Sequence, residues 1–203
     1  MAENSSHVAT IVLAAGFSSR TGTAFKPLLR LGGLTVIERT IKTHLDAGIH
    51  DIRVVAGHRA DEVAEAVGRL GVGVLVNPHF AKGMFSSIQA GVASLEAGVP
   101  AFFIMPADMP LVRPETVKAV LNAHAGCAYG IAFPVCRGRR GHPPLLARKY
   151  IPEILESRAP DGLRGILKNH EAEARGVEVD DEGILLDLDT IEDYYRLLDH
   201  GKE

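Results

Sequence analysis

Little in this sequence points to a membrane, a nucleic acid or an oxidising compartment. It has only two cysteines, Cys127 and Cys136, in 203 residues. That is too few for a disulfide framework or a four-thiolate zinc site, so both read as core thiols in a reducing compartment. Basic residues are not in excess. Lys and Arg number 22 against 25 Asp and Glu, a formal charge of −3, which removes the positive field expected of a nucleic-acid or anionic-membrane binder. Long apolar runs are missing too: the richest stretch, Ala101 to Met105, stops at Pro106 and Asp108, far short of the roughly 20 residues of a membrane span. Residues 1–7 are polar and lack the basic-then-apolar layout of a signal peptide. They read as a flexible N-terminus on a single domain covering 1–203, and the expected location is cytoplasmic.

Short apolar runs alternate with helical spacing, the pattern of an α/β domain built on a mostly parallel sheet. Val8 to Leu13 is a continuous apolar-rich run suited to a central strand buried on both faces. Ile37, Ile41 and Leu45 then recur at helical spacing, with Gly48 as a stop. Strands are expected at Ile52–Ala56, Gly73–Val76, Phe102–Met105 and Ile131–Val135. Helices are expected around Val63–Leu70, Met84–Leu95 and Pro114–His124, then in two short pieces near Ile151–Glu156 and Gly162–His170. Pro144–Ala147 reads as extended. Arg175–Val179 and Ile184–Leu188 read as a late hairpin around Asp180–Gly183, before a final helix through Ile191, Tyr194, Tyr195 and Leu198.

The chemistry starts with the long loop after the first strand. Leu13, Ala14, Ala15 and Gly16 leave the strand at its C-terminal end, where α/β sheets bind ligands. Gly16 has no Cβ, so nearby backbone N–H groups can approach phosphate oxygens. Arg20 and Lys26 add two cations to the same loop, an arrangement matched to a triphosphate. A Walker loop is excluded because Lys26 is preceded by Phe25 and followed by Pro27. A dinucleotide fingerprint is excluded because Gly16 is followed by Phe17-Ser18-Ser19-Arg20. Long loops in compact domains are usually functional, which favours a ligand over a plain connection.

The motif Leu13-Ala14-Ala15-Gly16-x-Ser18-x-Arg20-x-Gly22-x-x-x-Lys26-x-Leu28 resembles the signature loop of nucleotidyltransferases related to the molybdenum cofactor cytidylyl- and guanylyltransferases. Further matches follow in the family's order: Asn77-Pro78 with Gly83-Met84 and Ser87; Pro106-Ala107-Asp108-Met109-Pro110-Leu111; Gly141-His142-Pro143; Asp161-Gly162-x-Arg164; and Asp187-Leu188-Asp189-Thr190 with Glu192-Asp193. They span nearly the whole chain, and their joint occurrence is more specific than any one. Ala14-Ala15-Gly16 and the Gly-His-Pro element are closer to the cytidylyl branch, which joins CTP to molybdopterin and releases pyrophosphate. Thr21 stands where methionine is common and Ile191 where proline is common. Lys26-Pro27-Leu28 also resembles sugar-phosphate nucleotidyltransferases, which leaves the acceptor open.

The resemblance implies a three-layer Rossmann-like fold, a Mg²⁺ ion as cofactor, and a nucleoside triphosphate as substrate, with a possible molybdoenzyme as protein partner. Arg20, Lys26 and Asp108 are the candidate catalytic residues. Asp108, in a turn past a buried strand, is either a Mg²⁺ ligand or a cap. Asp187 and Asp189 lie in a strand-like stretch and face one side; Asp189 is the preferred second ligand, the alternative being that Asp189 or Thr190 caps the last helix. Leu13 to Gly16, Arg20 and Lys26 are expected to hold the nucleotide, with Gly57, Asn77, Gly83 and Ser87 lining the nucleoside pocket. Arg137, Arg139, Arg140 and His142 form a basic turn that could meet the acceptor's phosphate or be merely solvated; His142, the alternative being a hydrogen-bonded core histidine, and Arg164 are the acceptor candidates. The competing functions are a sugar- or polyol-phosphate nucleotidyltransferase and a non-catalytic nucleotide-binding regulator or cofactor chaperone on the same fold.

Overall fold

A computed structural model describes residues 8–17, 25–125 and 130–200. Arg20 and Cys127 lie outside these residues, as does the rest of 18–24. Strand β1 (Ala9–Ala14) is the central strand, as its apolar run predicts. It pairs in parallel with β4 (Asp51–Ala56) on one side and with β6 (Ala101–Pro106) on the other. β5 (Gly73–Val76) extends the sheet beyond β4. On the far side the order runs β6, β9 (Leu145–Ala147), β7 (Ile131–Cys136), β10 (Ala174–Glu178), with β8 (Arg139–Arg140) paired to β7. β9 is antiparallel to both β6 and β7, so the parallel sheet carries one reversed strand.

Side-chain alternation along the strands sends residues to two separate cores. Val12, Val54, Phe103 and Met105 face one side, against Ile37 and Ile41 of α1 (Val36–Asp46), Val63 and Val67 of α2 (Ala60–Gly68), and Val117 and Val120 of α4 (Pro114–Ala125). Ile11, Val55, Phe102 and Ile104 face the other, against Ile88 and Val92 of α3 (Met84–Ala93), Ile154 of α5 (Ile151–Glu156) and Ile166 of α6 (Gly162–Asn169). Phe102 and Phe103 are fully buried on opposite faces; each contributes roughly 1.5–3 kcal/mol by leaving water. Chain order builds out from β1 through β4 to β5, then returns across β1 to β6. The crevice at the C-terminal ends of β1 and β6 is therefore the switch point at which such sheets bind ligands.

Local signals explain the start of α1. Thr35 accepts from the Glu38 backbone N–H, while Glu38 Oε2 accepts from Thr35 N at 2.7 Å, a complete capping box. Just before it, β2 (Arg30–Leu31) and β3 (Leu34–Thr35) form a small hairpin of their own that hydrophobic period alone does not reveal. Among the described residues no helix is long and apolar enough to cross a membrane.

Two expectations fail after β7. The proposed late hairpin is absent: β10 pairs in parallel with β7, and Glu182–Leu185 is a 3-10 turn. Asp187 and Asp189 lie in irregular chain, without a strand to align them. The alternation of Ile184, Leu185, Leu186 and Leu188 suits an extended segment, but backbone contacts to neighbouring loops replace ladder partners there. The final helix α7 (Ile191–His200) closes over Leu31, Val36 and Leu188 with Tyr194 and Leu198.

His44 on α1 is completely buried, with its ring edge-on to Phe103 at 5.9 Å and Nδ1 3.1 Å from Thr40 O. Burial pushes its imidazole from the usual 6.5 down to about 4. The folded state thus resists a proton that the unfolded chain accepts. The stabilisation is complete above pH 6.5 and is lost as pH falls toward 4, by up to about 3 kcal/mol. Urea titrations over that range should show the loss in the wild type and a smaller one in His44→Gln.

Candidate active site

A cleft of about 740 Å³ opens at the switch point. Leu13 and Ala14 end β1 and continue through Ala15, Gly16 and Phe17 along its floor; Pro106, Ala107 and Asp108 enter from the end of β6. The two strand ends are tied together where Ala107 N donates to Leu13 O at 3.0 Å. Lys26 starts a 3-10 turn with Pro27, and its side chain runs into the cleft with only 9% of its surface exposed. Burying an ammonium requires a counter-charge, and Lys26 Nζ donates to Asp189 Oδ1 at 2.9 Å.

Asp189 reaches this point on a strap of chain, residues 181–190, that crosses the mouth of the sheet. Asp181 fastens its start. This buried carboxylate accepts from Arg113 N at 2.9 Å, Thr116 Oγ1 at 2.6 Å and Gly183 N at 3.0 Å. Gly183 lies so close to the loop before α4 that a Cβ would stand 2.2 Å from Leu111 O. Further along, His142 N donates to Ile184 O at 3.0 Å and Leu188 N to Asp108 O at 2.9 Å. The strap thus stitches the turn after β8 to the turn after β6. It ends in a cap for α7 formed by Thr190 and Asp193: Asp193 N donates to Thr190 Oγ1 and Thr190 N to Asp193 Oδ2. Thr190 is therefore the cap, and the Asp189 side chain goes to the cleft.

Asp108 is a strongly perturbed acid. Burial pushes its carboxyl up to about 6; Lys26 and a backbone hydrogen bond pull it back, while the charges of Asp187 and Asp189 add to the push. His142 is held below its ordinary value by burial, against the charge of Asp187. Among the described residues, the carboxyls of Asp108, Asp187 and Asp189 thus line one cleft with the Lys26 ammonium. No group of three His, Cys, Asp or Glu side chains among the described residues forms a ready-made metal cage. Two carboxylates with excess negative charge suit a hard divalent cation that draws its remaining ligands from substrate phosphates and water.

Of the residues singled out in the sequence, the cleft brings together Leu13, Ala14, Ala15, Gly16, Lys26, Gly83, Ser87, Asp108, His142, Asp187 and Asp189. Gly57, Asn77 and Arg164 do not line it. Asn77 is buried, and its Nδ2 donates to Ser86 Oγ and Ser87 Oγ, each at 3.0 Å, so it positions Ser87 from behind. Gly57 lies under Phe80. Arg139 and Arg140 line the opposite wall, with Arg140 bonded to Glu171 and lying 4.2 Å from the Phe133 ring centroid; Arg137 pairs with Glu182 at 2.5 Å. Phe17, Phe80 and Met84 also line the cleft and were not chosen from the sequence, because an apolar residue's exposure is invisible there.

A family model described as the MobA-like NTP transferase domain matches residues 10–174. The chain belongs to that family. Membership makes it a nucleotidyltransferase and a nucleoside triphosphate its substrate. It is 26% identical over 185 residues to the molybdenum cofactor cytidylyltransferase of Escherichia coli, covering 91% of this chain and 92% of that one. It is also 29% identical over 197 residues to the nicotine blue oxidoreductase of Paenarthrobacter nicotinovorans, covering 94% and 96%. Among solved structures, Rv0371c from Mycobacterium tuberculosis superposes with a TM-score of 0.84 at 27% identity, over 96% of this chain and 98% of that one. A nucleotidyl transferase from Methanothermobacter does so with a TM-score of 0.84 at 26% identity, over 97% and 98%. The matched family span stops before the strap, so Asp187 and Asp189 rest on the geometry of this chain.

Removing the strap's anchor should be costly. Asp181→Ala strands three donors and is expected to lose about 3–5 kcal/mol in equilibrium urea unfolding. An unchanged midpoint would show that the strap is held by other contacts.

Proposed function

We propose that this nucleotidyltransferase is a Mg²⁺-dependent CTP:molybdopterin cytidylyltransferase that releases pyrophosphate. The observation that carries the reading is the pair of buried Lys26 with half-buried Asp189, in one cleft with Asp108 and the Ala14–Gly16 backbone. The full-length likeness to a molybdenum cofactor cytidylyltransferase supports the choice of base and acceptor.

In this reading the triphosphate lies along Ala14 to Gly16, and Lys26 faces its negative charge. Asp108 and Asp189 would hold the cation, with Asp187 beside them; the ion would supply charge neutralisation and polarisation of phosphate oxygens. A phosphate oxygen of the acceptor attacks the α-phosphorus. As that bond forms, the bond from the α-phosphorus to the bridging oxygen breaks, and pyrophosphate leaves with the electron pair. The attacking oxygen is already anionic at neutral pH, so the chain needs no general base. Its work is positioning and charge stabilisation. Lys26 is arranged for that work because its ammonium is buried and weakly screened. Arg20 is assigned the second cationic role from the sequence. Across the cleft, Arg139, Arg140 and His142 face the acceptor's phosphate, and Arg164 is assigned to the acceptor from its motif.

Pyrophosphate release should be measured with each nucleoside triphosphate and Mg²⁺, with and without molybdopterin. CTP with molybdopterin is expected to give the largest rate. Stimulation by a sugar or polyol phosphate instead would overturn the acceptor assignment, and nucleotide binding without turnover on any acceptor would indicate a regulator. Asp108→Asn and Lys26→Met should each lower kcat at least about a hundredfold with an unchanged circular dichroism spectrum. Wild-type rates in either variant would remove that residue from the mechanism.

A further inference from the structure

The cleft has two chemically different walls. Its charged lining residues are Lys26, Asp108, Asp187, Asp189, Arg139 and Arg140. Between residues 80 and 87 the lining consists of Phe80, Ala81, Gly83, Met84 and Ser87, none of them charged. Phe17 joins this wall directly after Gly16. Its ring centroid lies 5.0 Å from that of Phe80 and 5.4 Å from that of His58, yet 54% of the residue is exposed. Met84 beside it is 66% exposed.

The underside of this cluster is built to be firm. Gly57, the residue after β4, lies beneath Phe80, and a Cβ there would stand 2.5 Å from both Cβ and Cγ of Phe80. The missing side chain lets the Phe80 ring lie against backbone, and Phe80 in turn backs Phe17. Phe25 is buried behind them, edge-on to His58 at 5.9 Å. A supported aromatic face left open to a cleft costs apolar exposure, which makes it informative in a way that a scattered surface phenylalanine is not.

We propose that Phe17, backed by Phe80 and His58, is the stacking platform for the nucleobase of the bound nucleoside triphosphate. The inference rests on the nucleotidyltransferase reading and extends it to one side chain. Phosphates have their cations and amides at Ala14 to Gly16 and Lys26; the adjoining wall offers an uncharged planar surface, which suits a base. The acceptor's phosphate is drawn to the other side, by Arg139 and Arg140. Because every base has a π-face, such a platform supplies affinity for all four nucleotides, leaving base choice to edge contacts near Gly83 and Ser87.

The sequence contains no tryptophan, so Phe17→Trp installs a single fluorescent reporter at the platform. Binding of CTP and of inorganic tripolyphosphate, both with Mg²⁺, should be compared in the wild type, Phe17→Ala and Phe17→Trp. Phe17→Ala is expected to weaken CTP roughly tenfold while leaving tripolyphosphate unchanged, and Phe17→Trp emission should be quenched by CTP but not by tripolyphosphate. In turnover, the KM for every nucleotide should rise in Phe17→Ala with kcat little altered. Equal CTP affinity in wild type and Phe17→Ala would overturn the platform alone, as would a rise confined to the acceptor's KM or an equal response of Phe17→Trp to both ligands. A wild-type protein that binds no nucleoside triphosphate would overturn the proposed function, and the platform with it.

Discussion

The active cleft depends on a short piece of chain that belongs to neither the sheet nor the helices. Residues 181–190 have no ladder to fix their register, yet they deliver Asp187 and Asp189 to the ends of β1 and β6. What fixes them is the buried carboxylate of Asp181, which gathers donors from Arg113, Thr116 and Gly183. Such a group is costly to desolvate and so tolerates only an arrangement that satisfies it. From that anchor the backbone bonds of Ile184 and Leu188 follow in sequence. The geometry of the carboxylates is thus set by a residue that never touches the cleft.

The charge balance of the cleft is a second constraint. Asp108 is driven toward its proton by burial and by its two acidic neighbours, and Lys26 offsets only part of this. A site selected for stability alone would place an amide or an apolar residue there. Among the described residues, the Asp108 carboxyl stands with those of Asp187 and Asp189 in the cleft lining, beside Lys26. Asp189 accepts from the Lys26 ammonium and so holds it in the cleft.

Much of the fold could be read from the sequence. The continuous apolar run of β1 signals burial on both faces, and the 3.6-residue spacing of Ile37, Ile41, Val63 and Val67 marks helices on one side of the sheet. Leu13 to Gly16, Lys26, Asp108 and Asp189, which sequence motifs single out, all line one cleft. What escaped reading is what depends on contacts between distant segments. The parallel pairing of β10 with β7 looks, in sequence, like half of a hairpin, because an Asp-Asp-Glu-Gly turn sits between two apolar stretches. Asn77 has the composition of a ligand contact but spends its amide on Ser86 and Ser87. Asp181 reads as an ordinary turn residue. Nothing in a one-dimensional pattern distinguishes Phe17, which faces a cleft, from an aromatic that packs inward.

The Lys26–Asp189 pair joins residues 163 positions apart. During synthesis the phosphate loop emerges early, and its counter-charge follows only after every strand of the sheet has been made. Until then Lys26 has no Asp189 to pair with, and the cleft lacks two of its three carboxylates. A growing chain can therefore build its sheet and cover both faces before it possesses a working site. On the proposed reading, the two carboxylates of the strap are thus the last parts of the cleft to be made.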